Sequence, residues 1–279
     1  MITMPPYFKN KSNLNLFYEI FNGHEDDKTP IIMLHGFGSS AGFFQEQLRV
    51  LKSEHKVVVF DAEGHGKSEK NSNEKLDAHL IKDSIVDIEE LLYILQVDVP
   101  VVLIGHSLVG GGIAQQFALS YPDKVKCLIL LNSGTFLIDN TIRNIFWNLL
   151  PQVVRMEFNE LVLDNIEILL DKTIPFIRGA LLGDQESTEF GFDRLDGIVE
   201  TEIFDMIQNP LDPSKIQCPT LVVGAELDNY APLWMSKDLA EKIPNSKYRV
   251  AAMCGHFGPN HRPEIYNKLI FDFLEELGI

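Results

Sequence analysis

Apolar residues along the chain form two alternating patterns, short runs and longer segments with helical spacing. Residues 14–20 alternate apolar and polar positions, which predicts a strand with one buried face. Continuous apolar runs predict strands that are buried on both faces. Such runs lie at 31–34, 57–60, 101–104, 127–131 and 220–223, and one more strand is predicted at 248–251.

Segments with helical spacing connect these strands. Between residues 79 and 95, apolar side chains follow one another at intervals of four, three, four and three positions. Further helices are predicted after Ser107, at 233–243 and at the end of the chain. Strands that alternate with helices predict an α/β fold, in which helices cover both faces of a mostly parallel sheet.

The alternation stops between residues 135 and 216. Apolar residues still recur at helical spacing there, as at Leu161, Ile168 and Leu169, but no segment in this range has the pattern of a strand. A helical block between two strands of one sheet is typical of an inserted cap. We therefore predict a core domain formed by 1–134 and 217–279, with a helical cap at 135–216.

Charge and cysteine content indicate which partners and which cellular compartment to expect. The chain has 40 acidic and 24 basic residues in 279, a net charge of −16, which repels phosphate backbones and anionic membranes. We expect a small neutral substrate and no nucleic-acid partner. The three cysteines are scattered, the N-terminus shows no secretory signal, and no apolar run is long enough to span a bilayer. These features predict a cytoplasmic protein without a membrane span.

Polar residues follow most of the predicted strands. In parallel sheets ligands bind at the carboxyl ends of the strands, so these residues are candidates for one site. They are His35 to Gly38, Asp61, Ser107, Asn132 and Ser133, Asp228, and the loop from Cys254 to Phe257.

Ser107 lies at a sharp turn between a strand and a helix. Such a turn raises the hydroxyl above the sheet and places it beside amides that the helix leaves without acceptors. A serine that only caps the helix would give the same local pattern. A nucleophilic serine needs a base, and the base needs a third group to orient it. His256 and Asp228 are candidates for these two roles, and Glu226 is a second candidate for the acid.

The chain resembles the α/β-hydrolase superfamily over nearly its whole length, and within it the carboxylesterase-like and lipase-like serine hydrolases with a helical cap. The matching motifs are His35-Gly36-Phe37-Gly38, Asp61-x-x-Gly64-His65-Gly66-x-Ser68, Gly105-His106-Ser107, Asp228-x-x-x-Pro232 and Gly255-His256. The resemblance implies an eight-stranded, mostly parallel sheet. It also implies that Ser107 is the nucleophile, His256 the base and Asp228 the acid. The backbone N–H groups of Phe37 and Leu108 would form the oxyanion hole.

Two positions depart from the family pattern, and one of them, Glu63 where relatives often have arginine, is expected to have only a structural consequence. Val109 stands where the superfamily usually has a glycine two residues after the nucleophile. Either Val109 is an extra residue, and the glycines at 110–112 provide the close packing of helix on strand, or its branched side chain crowds that contact.

The remaining candidates receive smaller roles. We expect Asp61, His35 and His106 to hold loops, and His65 and His261 to be solvated. The histidines lack the spacing of a metal site, and the glycines at 36–42 do not fit a dinucleotide-binding motif, so neither a metal nor a cofactor is predicted. Substrate contacts are predicted for Phe37, His106, Trp147 and Phe257.

The resulting hypothesis is a serine hydrolase that cleaves a carboxylic ester through an acyl-enzyme on Ser107. Hydrolysis of a carbon–carbon bond, lactone opening and perhydrolysis use the same three side chains and stay open. Epoxide hydrolases and dehalogenases of this superfamily place an aspartate at the nucleophile position, so Ser107 argues against both. A slow-turnover ligand-binding or signalling protein of the same fold is the alternative from another class, and the unusual Val109 is its only support.

Overall fold

The computed structural model describes residues 6–21, 28–70, 80–134, 211–228 and 230–279. Eight strands in these ranges form one sheet in the order β1-β2-β4-β3-β5-β6-β7-β8. Their bounds are β1 Tyr7–Lys9, β2 Asn15–Phe21, β3 Ile31–Leu34, β4 Val57–Phe60, β5 Val101–His106, β6 Val125–Leu131, β7 Thr220–Ala225 and β8 Ser246–Ala251. β2 is antiparallel to both of its neighbours, and all other pairs are parallel.

The sheet confirms the predicted fold class. Every strand predicted from apolar runs is present, and several extend by one or two residues. The short edge strand β1 was not predicted, because three residues are too few to show a period of two.

Helices pack on both faces of the sheet. They are α1 Gln45–Leu51, α2 Leu80–Ile94, α3 Ser107–Ser120, α4 Leu233–Lys242, α5 Gly258–His261 and α6 Pro263–Glu276. In β3, the side chains of Ile32 and Leu34 pack on the face of the sheet that is covered by α2, α3 and α4. Those of Ile31 and Met33 pack on the opposite face, against α1 and α6. Alternate residues thus face opposite cores, which explains why a buried parallel strand is apolar throughout.

The predicted cap lies almost entirely outside the described residues, as does Trp147. Its limits, and those of the core domain, therefore stay predictions. Of the six cap positions that are described, Ile216 is buried in the core on the α3 side of the sheet. In the described ranges, no helix has the length and apolar character that crossing a membrane requires.

Candidate active site

Ser107 is placed by the turn between β5 and α3. His106 ends the strand in an extended conformation, and Ser107 begins the helix with a φ of 64°, in the left-handed region. Few non-glycine residues adopt this conformation, and those that do often lie at functional sites. The turn leaves the Ser107 side chain half-buried at the carboxyl edge of the sheet, as the sequence predicted.

Gly110, and not Val109, makes the close contact between α3 and the sheet. A Cβ atom at residue 110 would stand 2.5 Å from the carbonyl oxygen of His35 and closer still to that of Leu34. Val109 packs among apolar side chains of the neighbouring core, and α3 is unbroken from Ser107 to Ser120. The structure thus agrees with the alternative in which the following glycines provide the close packing, while the interpretation of Val109 as an extra residue stays a prediction.

Three side chains from distant parts of the chain meet at this edge. The Ser107 hydroxyl lies 2.9 Å from Nε2 of His256. The opposite ring nitrogen, Nδ1, lies 2.8 Å from Oδ2 of Asp228. The imidazole is therefore bonded on one side to a hydroxyl and on the other to a carboxylate, which is the arrangement that activates a nucleophile in triads.

Asp228 is fixed by its own loop. Its side chain is fully buried, and its Oδ1 accepts backbone N–H bonds from Tyr230 (2.8 Å) and Ala231 (2.9 Å). These bonds leave Oδ2 for the imidazole. Glu226, the other candidate, is exposed, and its carboxylate accepts the backbone N–H of Met253. The geometry selects Asp228 as the partner of His256.

The main chain of His256 is also held by side chains. Nε2 of His106 donates to the His256 carbonyl oxygen at 3.0 Å, and Nδ2 of Asn132 donates to the same oxygen at 2.7 Å. Burial lowers the pKa of His106 well below its ordinary value, which keeps the ring neutral. The described contacts therefore give His106 the loop-holding role that was expected, and its substrate contact stays a prediction. Asn132 was recognised only as a strand-end residue, without a role.

The loop after β3 lies directly against Ser107. A Cβ atom at residue 36 would stand 2.7 Å from the Cβ of Ser107, so only glycine leaves the hydroxyl unobstructed. The Gly36 carbonyl accepts from Nδ1 of His35 (2.8 Å) and from the backbone of Ser39 (3.2 Å). Because a trans peptide is planar, the N–H of Phe37 points opposite to that carbonyl. His35 thereby sets the direction of one expected oxyanion donor.

The second expected donor is the N–H of Leu108. Leu108 is the second residue of α3, and the first amides of a helix have no acceptor four residues earlier. Both donors thus belong to segments that border Ser107, and their role in catalysis stays a prediction.

A second group of histidines and a carboxylate lies beside the site. Asp61 accepts backbone N–H bonds from Ala41 (2.5 Å) and Lys67 (2.8 Å), so it holds its loop as predicted. Burial lowers the pKa of His35 to about 4 and that of His65 to about 3. His65 is 2% exposed, so the expectation that it is solvated was wrong. Its burial could not be predicted, because His65 is flanked in the sequence by Gly64 and Gly66 and by charged residues beyond them.

Aromatic rings surround the His256 imidazole. Phe257 lies edge-on with its centroid at 5.4 Å, and Tyr230 lies at 5.0 Å. Phe257 contacts His256, Phe37 follows Gly36 in the loop against Ser107, and both are half-buried, but their contact with substrate stays a prediction. Among the residues that the structure describes, no three His, Cys, Asp or Glu side chains are grouped to hold a metal ion.

Comparison with known proteins agrees with this architecture. The sequence signature of the alpha/beta hydrolase fold family matches residues 29–259. The chain therefore belongs to this family, and it is a hydrolase.

Several known proteins are similar to the chain over most of its length. The putative carbamate hydrolase RutD of Caulobacter sp. (strain K31) is 27% identical over 262 residues, which are 93% of this chain and 95% of that protein. The 2-hydroxymuconate semialdehyde hydrolase of Pseudomonas putida is 26% identical, with 88% and 87% covered. Among solved structures, the enol-lactonase from Burkholderia xenovorans LB400 superimposes with a TM-score of 0.71 at 18% identity, covering 97% of this chain and all of the other. That structural likeness shows the fold alone.

Proposed function

We propose that the protein is a serine hydrolase that cleaves a neutral carboxylic ester through an acyl-enzyme on Ser107. The observation that carries the proposal is the continuous hydrogen-bonded series Ser107–His256–Asp228, with heavy-atom distances of 2.9 and 2.8 Å. These distances lie within the reach required of a general base and its orienting acid.

In the first half of the reaction, the Ser107 oxygen attacks the ester carbonyl carbon while Nε2 of His256 takes the hydroxyl proton. The buried Asp228 stabilises the imidazolium that forms. The tetrahedral oxyanion is stabilised by the N–H groups of Phe37 and Leu108, each worth roughly 3–4 kcal/mol in comparable enzymes. The protonated imidazole then gives its proton to the alkoxide of the departing alcohol, and the acyl group stays on Ser107.

In the second half, water replaces the alcohol. His256 takes a proton from the water as its oxygen attacks the acyl carbon, and the proton returns to Ser107 when the acyl–oxygen bond breaks. The products are a carboxylic acid and an alcohol, and the side chains are restored.

The choice of a neutral substrate rests on charge. The chain carries a net charge of −16, which disfavours strongly anionic ligands near its surface. We extend the proposal to a small-molecule substrate, no nucleic-acid partner and residence in the cytoplasm. The free state of Cys127, Cys218 and Cys254 supports that compartment.

Cleavage of a carbon–carbon bond or a lactone is the second candidate. Its support is the similarity to a 2-hydroxymuconate semialdehyde hydrolase over 88% of this chain; the enol-lactonase adds only that a protein of this fold can act on a lactone. Either substrate would present a carbonyl carbon to the same hydroxyl. Perhydrolysis, with peroxide in place of water, needs the same side chains. A panel of esters, lactones and vinylogous diketones assayed side by side would rank these reactions.

Labelling with a fluorophosphonate separates an enzyme from a ligand-binding protein of the same fold. We expect the probe to phosphonylate Ser107 in the folded protein, with p-nitrophenyl acetate hydrolysed by the wild type and not by Ser107→Ala. A folded wild type that neither reacts with the probe nor hydrolyses any panel member would refute the proposal and favour the slow-turnover binding protein.

A further inference from the structure

Asn132 is the first residue after β6, and its side chain reaches the loop that carries His256. It is fully buried and has a φ of 50°, a left-handed conformation that asparagine tolerates better than most residues. Its Nδ2 donates to the carbonyl oxygen of His256 at 2.7 Å and lies 3.3 Å from that of Gly255. One amide group therefore holds two successive carbonyls of the histidine loop.

Tyr266, in α6, determines which way the Asn132 amide faces. The Tyr266 hydroxyl donates to Oδ1 of Asn132 at 2.9 Å. Tyr266 is fully buried, and burial raises the pKa of its hydroxyl, so the group stays a donor. With Oδ1 occupied by this donor, the NH₂ group must face the carbonyls of 255 and 256.

We propose that Asn132, oriented by Tyr266, is a positioning residue for His256, and that the pair holds the imidazole at hydrogen-bonding distance from Ser107. The inference rests on the proposed function, since it assigns a role within that mechanism. His106 donates to the same carbonyl from the end of β5. The loop is thus fixed to the ends of two adjacent central strands, and to the last helix through Tyr266.

The pair acts on rate and not on substrate binding. Neither residue has a polar atom bonded to Ser107, and both are fully buried beneath the histidine loop. Displacement of a reacting group by about 1 Å costs on the order of a hundredfold in rate. Because His106 still holds the carbonyl when Asn132 is changed, we expect a loss of about ten- to a hundredfold in kcat, with KM changed by less than about twofold.

Three variants test the inference. Asn132→Gly removes the amide and keeps a residue that accepts the φ of 50°. Asn132→Asp keeps the acceptor for Tyr266 but turns a carboxylate oxygen towards two carbonyls, so we expect a larger loss than with glycine. Tyr266→Phe leaves the amide free to rotate, and we expect a smaller loss. Tyr121→Phe is the matched control, because it removes a tyrosine hydroxyl bonded to Glu89, away from the site.

The readouts are kcat, KM, the rate of fluorophosphonate labelling, melting temperature, and the downfield ¹H NMR resonance of the proton between His256 and Asp228. We expect Asn132→Gly to lower kcat and the labelling rate together and to broaden that resonance, while Tyr121→Phe changes none of these. A glycine variant with a lower melting temperature but wild-type kcat, or with an unchanged resonance, would overturn the inference and leave Asn132 a purely structural residue.

Failure of the proposed function gives a different result. In that case the wild type itself shows neither labelling nor turnover, and the resonance alone then decides whether Asn132 positions His256. Broadening in Asn132→Gly but not in Tyr121→Phe supports the positioning role, and an unchanged resonance refutes it.

Discussion

Two groups of histidine and aspartate lie at the same edge of the sheet and differ in what their polar atoms contact. The open cluster consists of Ser107, Asp228 and His256, and the closed cluster of His35, Asp61 and His65. In the open cluster the Asp228 carboxylate is hydrogen-bonded to the His256 imidazole, and the imidazole is hydrogen-bonded to the hydroxyl of the half-buried Ser107.

In the closed cluster the same kinds of side chain bond to backbone. Both carboxylate oxygens of Asp61 accept amide N–H groups, while His35 and His65 each bond a carbonyl oxygen through Nδ1. With no carboxylate bonded to either ring, desolvation dominates and lowers the pKa values to about 4 and about 3. Imidazoles with such low pKa values are weak bases, so His35 and His65 are poorly suited to accept a proton from a substrate or nucleophile at neutral pH. Bonding partners, and not residue types, separate the cluster that we propose to be catalytic from the one that holds backbone.

The largest difference between the clusters should appear when a histidine is replaced in each. We expect His256→Ala to lower kcat for ester hydrolysis about a million-fold, as loss of the base does in related triads. His65→Asn keeps a donor for the carbonyl of Glu63 and should keep kcat near the wild-type value. Steady-state kinetics with p-nitrophenyl acetate measure both, and comparable losses in the two variants would refute the distinction.

Replacing the carboxylates should give the next largest contrast. Asp228→Asn should lower kcat about ten-thousand-fold with the fold intact, because the amide favours the wrong imidazole tautomer. Asp61→Asn places an NH₂ group against a backbone N–H and should cost about 1–3 kcal/mol of unfolding free energy. Urea denaturation beside the kinetic assay separates these outcomes. A kinetic defect without destabilisation in Asp61→Asn would contradict the assignment.

Gly36→Ala tests the segment that joins the two clusters. Its new Cβ would stand 2.7 Å from the Cβ of Ser107, so the loop or the serine must shift. We expect a loss of about a hundredfold in kcat, as a displacement of about 1 Å produces. Gly42→Ala is the control, since its Cβ would meet only side-chain atoms at 3.4 Å or beyond. Equal effects at the two glycines would argue against close contact at Gly36.

The closed cluster should also affect the pH dependence of stability, where no change in kcat is expected. His35 and His65 have pKa values of about 4 and about 3 when folded, against 6.5 as their ordinary value. Below pH 6.5 the unfolded chain therefore binds protons that the folded protein does not, and stability falls as the pH falls towards 4. Each histidine contributes about 1.4 kcal/mol per pH unit in this window.

His65→Asn should reduce that slope by one such contribution. Urea unfolding of variant and wild type at several values between pH 6.5 and 4 measures it. Asp87 acts with the opposite sign, because burial raises its pKa to about 7, and the comparison between variant and wild type cancels its effect. Parallel profiles for the two proteins would show that His65 is not neutral when folded.

Most of the sheet was predictable because buried parallel strands are continuous apolar runs, as in 31–34 and 57–60. Ser107, Asp228 and His256 were predictable as strand-end residues in the order that the superfamily uses. The roles of Asn132 and Tyr266 were not, because their contact with each other spans 134 positions and follows no local period. The desolvation of His35 and His65 was not predictable either, because it depends on how distant segments of the chain pack around them.

Ser107 and His256 lie 149 positions apart in the sequence. β8, which precedes His256, is the edge strand at one side of the sheet. Until β8 and α6 have docked, His256 is not in place and the Ser107 hydroxyl has no imidazole beside it. On the proposed mechanism, ester cleavage in a refolding experiment would therefore appear only after these segments have docked, and its lag would measure how long that docking takes.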